Sequence, residues 1–193
     1  MRPLVPVACA LFAALPGCRD KPQEISTPAA QTAASPAVAP LAYEVPGTWT
    51  KISESSTSTK RAAYRVPKAG SDAEDAELTV YFFGTGSLGD QEKNFKEWAD
   101  AFDAGASATK KSFDSAAGKV DTIESMGTYK LSLGPAIGPK KKSPMQMVKE
   151  KWRLYGAVVH TKERGNWFFK MVGPDETVLA AKGALETALA AAK

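Results

Sequence analysis

RLYGAVVHTKERGNWFFKMV, residues 153–172, is the stretch that decides the fold. Residues 153–162 (RLYGAVVHTK) alternate in the manner of a strand, with Leu154, Gly156, Val158 and His160 on one side. Residues 167–172 (WFFKMV) are rich in aromatic and apolar side chains, the composition that suits a pleated, packed surface. Glu163-Arg164-Gly165-Asn166 lies between the two runs, so they are predicted to fold back as a hairpin. A strand that is apolar on both faces must be covered on both.

Moving outward, residues 77–83 (ELTVYFF) form a second two-sided strand, closed by Gly84. Asp90 suits the N-cap of a helix over residues 90–103, in which Phe95, Trp98, Ala99 and Phe102 share one face. After Gly173-Pro174, Asp175 is expected to cap a final helix with a stripe of Val178, Ala181, Leu185, Ala188 and Leu189. Shorter strands are expected at 49–52 and 60–66, the latter stopped by Pro67 and followed by an acidic turn over 69–75. Residues 119–125 and 128–133 read as a hairpin around Met126-Gly127, and 104–118 and 134–150 as loops. The order is three strands, a helix, four strands and a helix. Hairpins dominate, so the expectation is an α/β fold of the α+β type, a mainly antiparallel sheet covered by two helices in a layered sandwich.

The first forty residues differ in kind. Arg2 precedes an apolar run over residues 3–15, PLVPVACALFAAL. As a helix this run would span roughly 20 Å, short of the roughly 30 Å of a bilayer core. It therefore reads as a signal peptide, residues 1–17. Leu15-Pro16-Gly17-Cys18 resembles the lipobox of bacterial lipoproteins, which implies a lipid on Cys18 and a membrane as first partner. Residues 18–42, with Pro22, Pro28, Pro36 and Pro40 and few large apolar side chains, read as a flexible tether. The folded domain is expected over 43–193, exported and held on the periplasmic or cell-surface face of a bacterial membrane.

The segments AELTVYFFGTGSLGDQEKNFKEWADAF and YGAVVHTKERGNWFFKMVGPDETVLAAKGALETAL look like those of a set of uncharacterised exported bacterial lipoproteins. The element order, with its closing hairpin, Gly-Pro and terminal helix, resembles the PsbP-like fold, the fold also of the lipoprotein DcrB. The resemblance spans about residues 49–189. It implies an α/β/α sandwich and a non-enzymatic accessory or binding module, and it carries no functional residue over to this chain.

Chemistry-bearing residues are scarce. The two cysteines, Cys9 and Cys18, precede the domain, and His160 is the one histidine of the 193-residue chain. No typical zinc site can be assembled from one imidazole, and neither a metal nor a cofactor is expected. A net charge of +4 is mild and gives little support to a nucleic-acid partner.

Gly84-Thr85-Gly86-Ser87-Leu88-Gly89 fits G-x-G-x-x-G between a strand and a helix, but no parallel strand with a terminal acid follows, and Asp90 would repel phosphate. Gly84, Gly86 and Gly89 are at most a weak anion or ligand turn. Asp72, Glu74, Asp75 and Glu77 lack the order of a calcium loop and read as a solvated turn. Lys140, Lys141 and Lys142, with Met145, Met147 and Trp152 nearby, are the best surface contact for an envelope protein or an anionic polymer.

The leading expectation is thus a lipid-anchored binding module that performs no chemistry. Its rivals are a hydrolase built on His160 with Ser and acidic partners, and a carrier with a cavity between sheet and helix. Cys18→Ala is predicted to shift the mature chain from the membrane to the soluble fraction on fractionation. Continued retention would rule out thioether anchoring as the main attachment.

Overall fold

In a computed structural model, residues 40–53, 59–84, 89–103, 108–133, 145–161 and 165–193 are described. Strands β1 (Thr50–Ser53), β2 (Lys60–Val66), β3 (Ala76–Phe82), β4 (Ala108–Asp114), β5 (Lys119–Leu133), β6 (Met145–Thr161) and β7 (Gly165–Pro174) form one sheet. Their order is β1-β2-β3-β7-β6-β5-β4, and every neighbouring pair is antiparallel. Helix α1 (Gln91–Ala99) lies between β3 and β4 in the chain, and α2 (Asp175–Ala190) follows β7. The class is α+β. Alternation along four antiparallel steps makes β3 and β4 parallel to each other, so the chain must cross a sheet face between them, and α1 lies on that crossing.

Side-chain alternation assigns one helix to each face. Leu78, Val80, Tyr155, Ala157, Phe169 and Met171 form a core with Val178, Leu185 and Leu189 of α2. The residues between them, Leu154, Val158 and Phe168, point the other way and pack with Phe95 and Trp98 of α1 and with Phe102. The two-sided apolar strands read from the sequence are therefore covered on both sides. Burying each large side chain contributes roughly 1.5–3 kcal/mol.

Helix α1 is seated by a missing side chain. A Cβ built on Gly156 of β6 would lie 2.4 Å from Cζ3 of Trp98, so the indole occupies the notch that glycine leaves. Asp90 caps the helix as expected, its Oδ1 accepting from the Lys93 amide at 2.9 Å. Helix α2 is held by charge as well as by packing. Glu124 of β5 accepts from Arg153 and, at 2.6 Å, from Lys182 of α2, while Arg153 Nε donates to Asp175 at 2.7 Å. Burial pushes the Glu124 carboxyl up, but its bonds to Lys182 and Arg153 and their charges bring it below its ordinary value.

Several local expectations are corrected. Residues 108–114, expected as loop, are β4; as an edge strand with mostly exposed side chains it has no apolar alternation to betray it. Residues 119–133 are one strand, not a hairpin. Met126-Gly127 marks a bulge instead: Gly127 pairs with Trp152 and Tyr129 with Lys149, and the extra residue, Lys151, sits at φ 55°. Strand β6 begins at Met145, eight residues before the expected start at Arg153.

The cap of α2 also comes from elsewhere. Pro174 is the N-cap residue, and Asp72 Oδ2 accepts from the Thr177 amide at 2.7 Å and its hydroxyl at 2.8 Å. The acidic turn thus serves a helix end. Finally, the fold reaches back before Tyr43: Leu41 is buried, and Ala42 and Lys193 exchange backbone hydrogen bonds of 2.9 Å. Cys18 and the expected signal peptide lie outside the described residues, and no described helix is long and apolar enough to cross a membrane.

Gly156→Ala is predicted to lower stability by about 1–3 kcal/mol by displacing Trp98. Urea unfolding measures this directly, and an unchanged midpoint would mean that the notch does not seat α1.

Candidate functional site

The α1 face of β7 presents Asn166, Phe168, Lys170 and Val172 in alternation. Phe168 is fully buried beneath Trp98, with ring centroids 6.3 Å apart, and Lys170 is the next residue on that face. A long cationic side chain therefore rises from the middle of the sheet beside an aromatic core. Among the described residues, no hydrogen bond or ion pair reaches its Nζ; its one close partner is the face of Tyr129, 5.9 Å away. Burial lowers the pKa of the Lys170 ammonium, and the charges of Glu97 and Glu77 offset only part of that.

Lys170 opens into a cleft of about 860 Å³. Beside it stand Tyr81, Phe83, Trp98, Phe102 and Tyr129; Lys93, Asn94 and Glu97 come from α1, Asp100 from its C-cap, and Lys130 and Gln146 from β5 and β6. The volume suits a small organic ligand. The aromatic wall is tied together by ring contacts: Tyr81 stacks on Phe83 at 5.8 Å, Phe83 meets Phe168 edge-on at 5.0 Å, and Phe102 leans on Tyr129 at 5.2 Å. Burial raises the pKa of the Tyr81 and Tyr129 phenols, so both remain hydrogen-bond donors at neutral pH. The segment after α1 fixes the far wall: Lys130 N donates to Ala101 O at 2.7 Å and Asp103 N to Thr128 O at 3.0 Å.

The residues singled out from the sequence lie elsewhere or are otherwise engaged. His160 is on the same sheet face, nearer the other end of β6. Its Nδ1 lies 3.1 Å from Asn166 Oδ1, and its Nε2 lies 2.7 Å from Gln91 Oε1 and 3.1 Å from Asp121 Oδ2. Asn166 Nδ2 donates to Gly89 O at 3.2 Å, which leaves its Oδ1 to accept from His160 Nδ1. Neither ring nitrogen faces a described hydroxyl nucleophile, so the imidazole joins four segments rather than completing a Ser-His pair. Asp121 is pushed up by burial, but bonds from Lys119 and Ser112 and the charges of Lys119 and His160 take it below its ordinary value.

Gly84 and Gly89 pack closely, a Cβ on Gly89 meeting the Gly84 carbonyl at 3.0 Å, while Gly86 lies outside the described residues. The amide end of α1 is already occupied by the Asp90 carboxylate. Lys140, Lys141 and Lys142 also lie outside the described residues, as does the side chain of Met145. Met147 is exposed, but Trp152 is not a free contact: it stacks on Tyr129 at 5.6 Å with Lys149 over its ring, and Lys149 pairs with Glu74 at 2.6 Å. Among the described residues no three His, Cys, Asp or Glu side chains gather as metal ligands.

Sequence reasoning passed over Lys170 because WFFKMV reads as core. The signal was present: one ammonium inside a strand whose neighbours are apolar on both faces has no solvated side on which to lie. Comparison with protein-family models, with curated proteins and with solved structures finds no match.

The lowered pKa fixes the sign of a stability test. The unfolded chain binds the Lys170 proton more tightly than the folded one, so the lysine costs stability below its folded pKa, and the cost fades as pH rises toward the ordinary lysine value. Lys170→Met should therefore raise stability at neutral pH by about 1 kcal/mol. The gain should vanish above about pH 10.4. A variant less stable than wild type at neutral pH would show that the lysine supports the fold.

Proposed function

We propose that this protein is a lipid-anchored cell-envelope binding module, with a PsbP-like sandwich as its folded part, that holds a small ligand in the cleft beside Lys170. The observation that carries the reading is a half-buried ammonium that lines an aromatic cleft, with no hydrogen bond or ion pair to it among the described residues and the Tyr129 ring as its nearest group. Such a group weakens the fold, and a position that weakens the fold is explained when a ligand supplies the missing partner.

Binding rather than turnover is favoured by the chemistry around the cleft. His160 is engaged with Asn166, Gln91 and Asp121, and it does not line the cleft. The aromatic rings supply contact area, and Lys170, Tyr81 and Tyr129 supply a few polar groups to set orientation. The lipobox-like Leu15-Pro16-Gly17-Cys18 and the proline-containing spacer support a tethered domain that presents its cleft off a membrane. An envelope protein or anionic polymer as partner, the leading expectation from the lysine-rich loop, has less support, since Trp152 and Lys149 are engaged within the fold.

A thermal-shift screen of small molecules tests the cleft. A ligand at about one hundred times its Kd should add about 2.7 kcal/mol. Ala101→Trp, which places an indole in the opening, should abolish that shift. A shift that survives this substitution unchanged, or a screen of aromatic compounds without any shift, would overturn the proposed site.

A further inference from the structure

The charges around the cleft are unevenly matched. Lys93, Lys130 and Lys170 line the cleft together with Glu97 and Asp100. Asp100 is already paired, its carboxylate 2.5 Å from the Lys96 ammonium on the solvent side of α1. Glu97 is exposed and only partly offsets the desolvation of Lys170. Lys170 is therefore the cation of the cleft that stands beside the aromatic core, with the ring of Tyr129 as its nearest group.

Chemistry at the base of the cleft narrows the class further. A neutral apolar ligand would bury Lys170 more deeply without pairing it, and a cationic ligand would add repulsion. An anion would pair the ammonium by a charge-assisted hydrogen bond and could accept from the Tyr81 or Tyr129 phenol. Rings line the space around that point: Tyr81 and Phe83 lie nearly parallel at 7°, and Trp98 and Tyr129, each largely buried, also border the cleft. Flat faces of this kind favour a flat, apolar body over a branched or heavily hydroxylated one.

We infer that the ligand is a small planar carboxylic acid, its carboxylate on Lys170 Nζ and its ring against Tyr81, Phe83, Trp98 and Tyr129. This rests on the cleft being the binding site, as proposed above, and adds the identity of the polar anchor. The assignment makes Lys170 a specificity residue: it selects for charge, while the rings select for shape.

The test is calorimetric titration of the full chain at about pH 7 with 1-naphthoate, 1-naphthalenemethanol and 1-naphthylmethylammonium, repeated on Lys170→Met and Ala101→Trp. The same ring carries three head groups, so shape is held constant. Naphthoate should bind best. Lys170→Met should weaken it about ten- to hundredfold, the loss of one charge-assisted bond, without weakening the alcohol. Ala101→Trp should remove both.

Failure of the ligand class and failure of the site look different. If the alcohol binds wild type as tightly as naphthoate and Lys170→Met leaves naphthoate unchanged, the carboxylate assignment falls while the cleft stands. If naphthoate binds equally well to Ala101→Trp, or no probe binds, the cleft itself is refuted and the inference with it.

Discussion

Trp98 lies in the notch that Gly156 leaves in β6, and this seat sets the height and angle of α1 over its face of the sheet. With the indole in that position, Phe95 and Phe102 reach the same core, and the segment after the helix meets the outer edge of β5 through Lys130 and Thr128. The flank of α1 is then held off β7 on the side of Lys170, and the space between them is the cleft. A side chain at residue 156 would lift the helix and change that space. Packing on one face thus decides whether a site exists there at all.

The two faces of the sheet are unequal in kind. On the α2 side, apolar contacts are completed by a closed charge cluster, with Glu124 shared between Arg153 and Lys182 and Asp72 serving the helix end. Polar groups there find partners within the fold. On the α1 side the aromatic core ends at an ammonium whose described surroundings hold no counter-charge in contact. A half-buried charge without a contacting partner is costly, and on this contrast rests the proposal that the α1 face takes a ligand. On the same face three polar neighbours hold His160 between β5, β7 and the start of α1.

Much of the architecture was legible in the sequence because strong periodicity marks it. The strands at 60–66, 77–83 and 167–172, the stripe Phe95-Trp98-Phe102 and the closing helix all follow from apolar spacing and caps. The agreement in strand number conceals two offsetting errors. Strand β4 leaves no mark in the sequence because an edge strand of lysines and small residues carries no buried face, and Met126-Gly127 reads as a reversal because a glycine in a strand marks a turn and a bulge alike. The candidate site was less legible still. Cysteine, histidine and glycine motifs draw attention by residue type, whereas Lys170 matters for where it stands, and its surroundings come from β3, β5, β6, β7 and α1 together. Only tertiary structure brings Tyr81 and Tyr129 to the same lysine.

The cleft depends on the state of one amine, and nuclear magnetic resonance titration of the Lys170 side chain, assigned through Lys170→Met, reads it directly. The predicted result is a titration below that of the exposed lysines in the free protein, moving upward when 1-naphthoate is added. Titration together with the surface lysines, with no response to the acid, would contradict it.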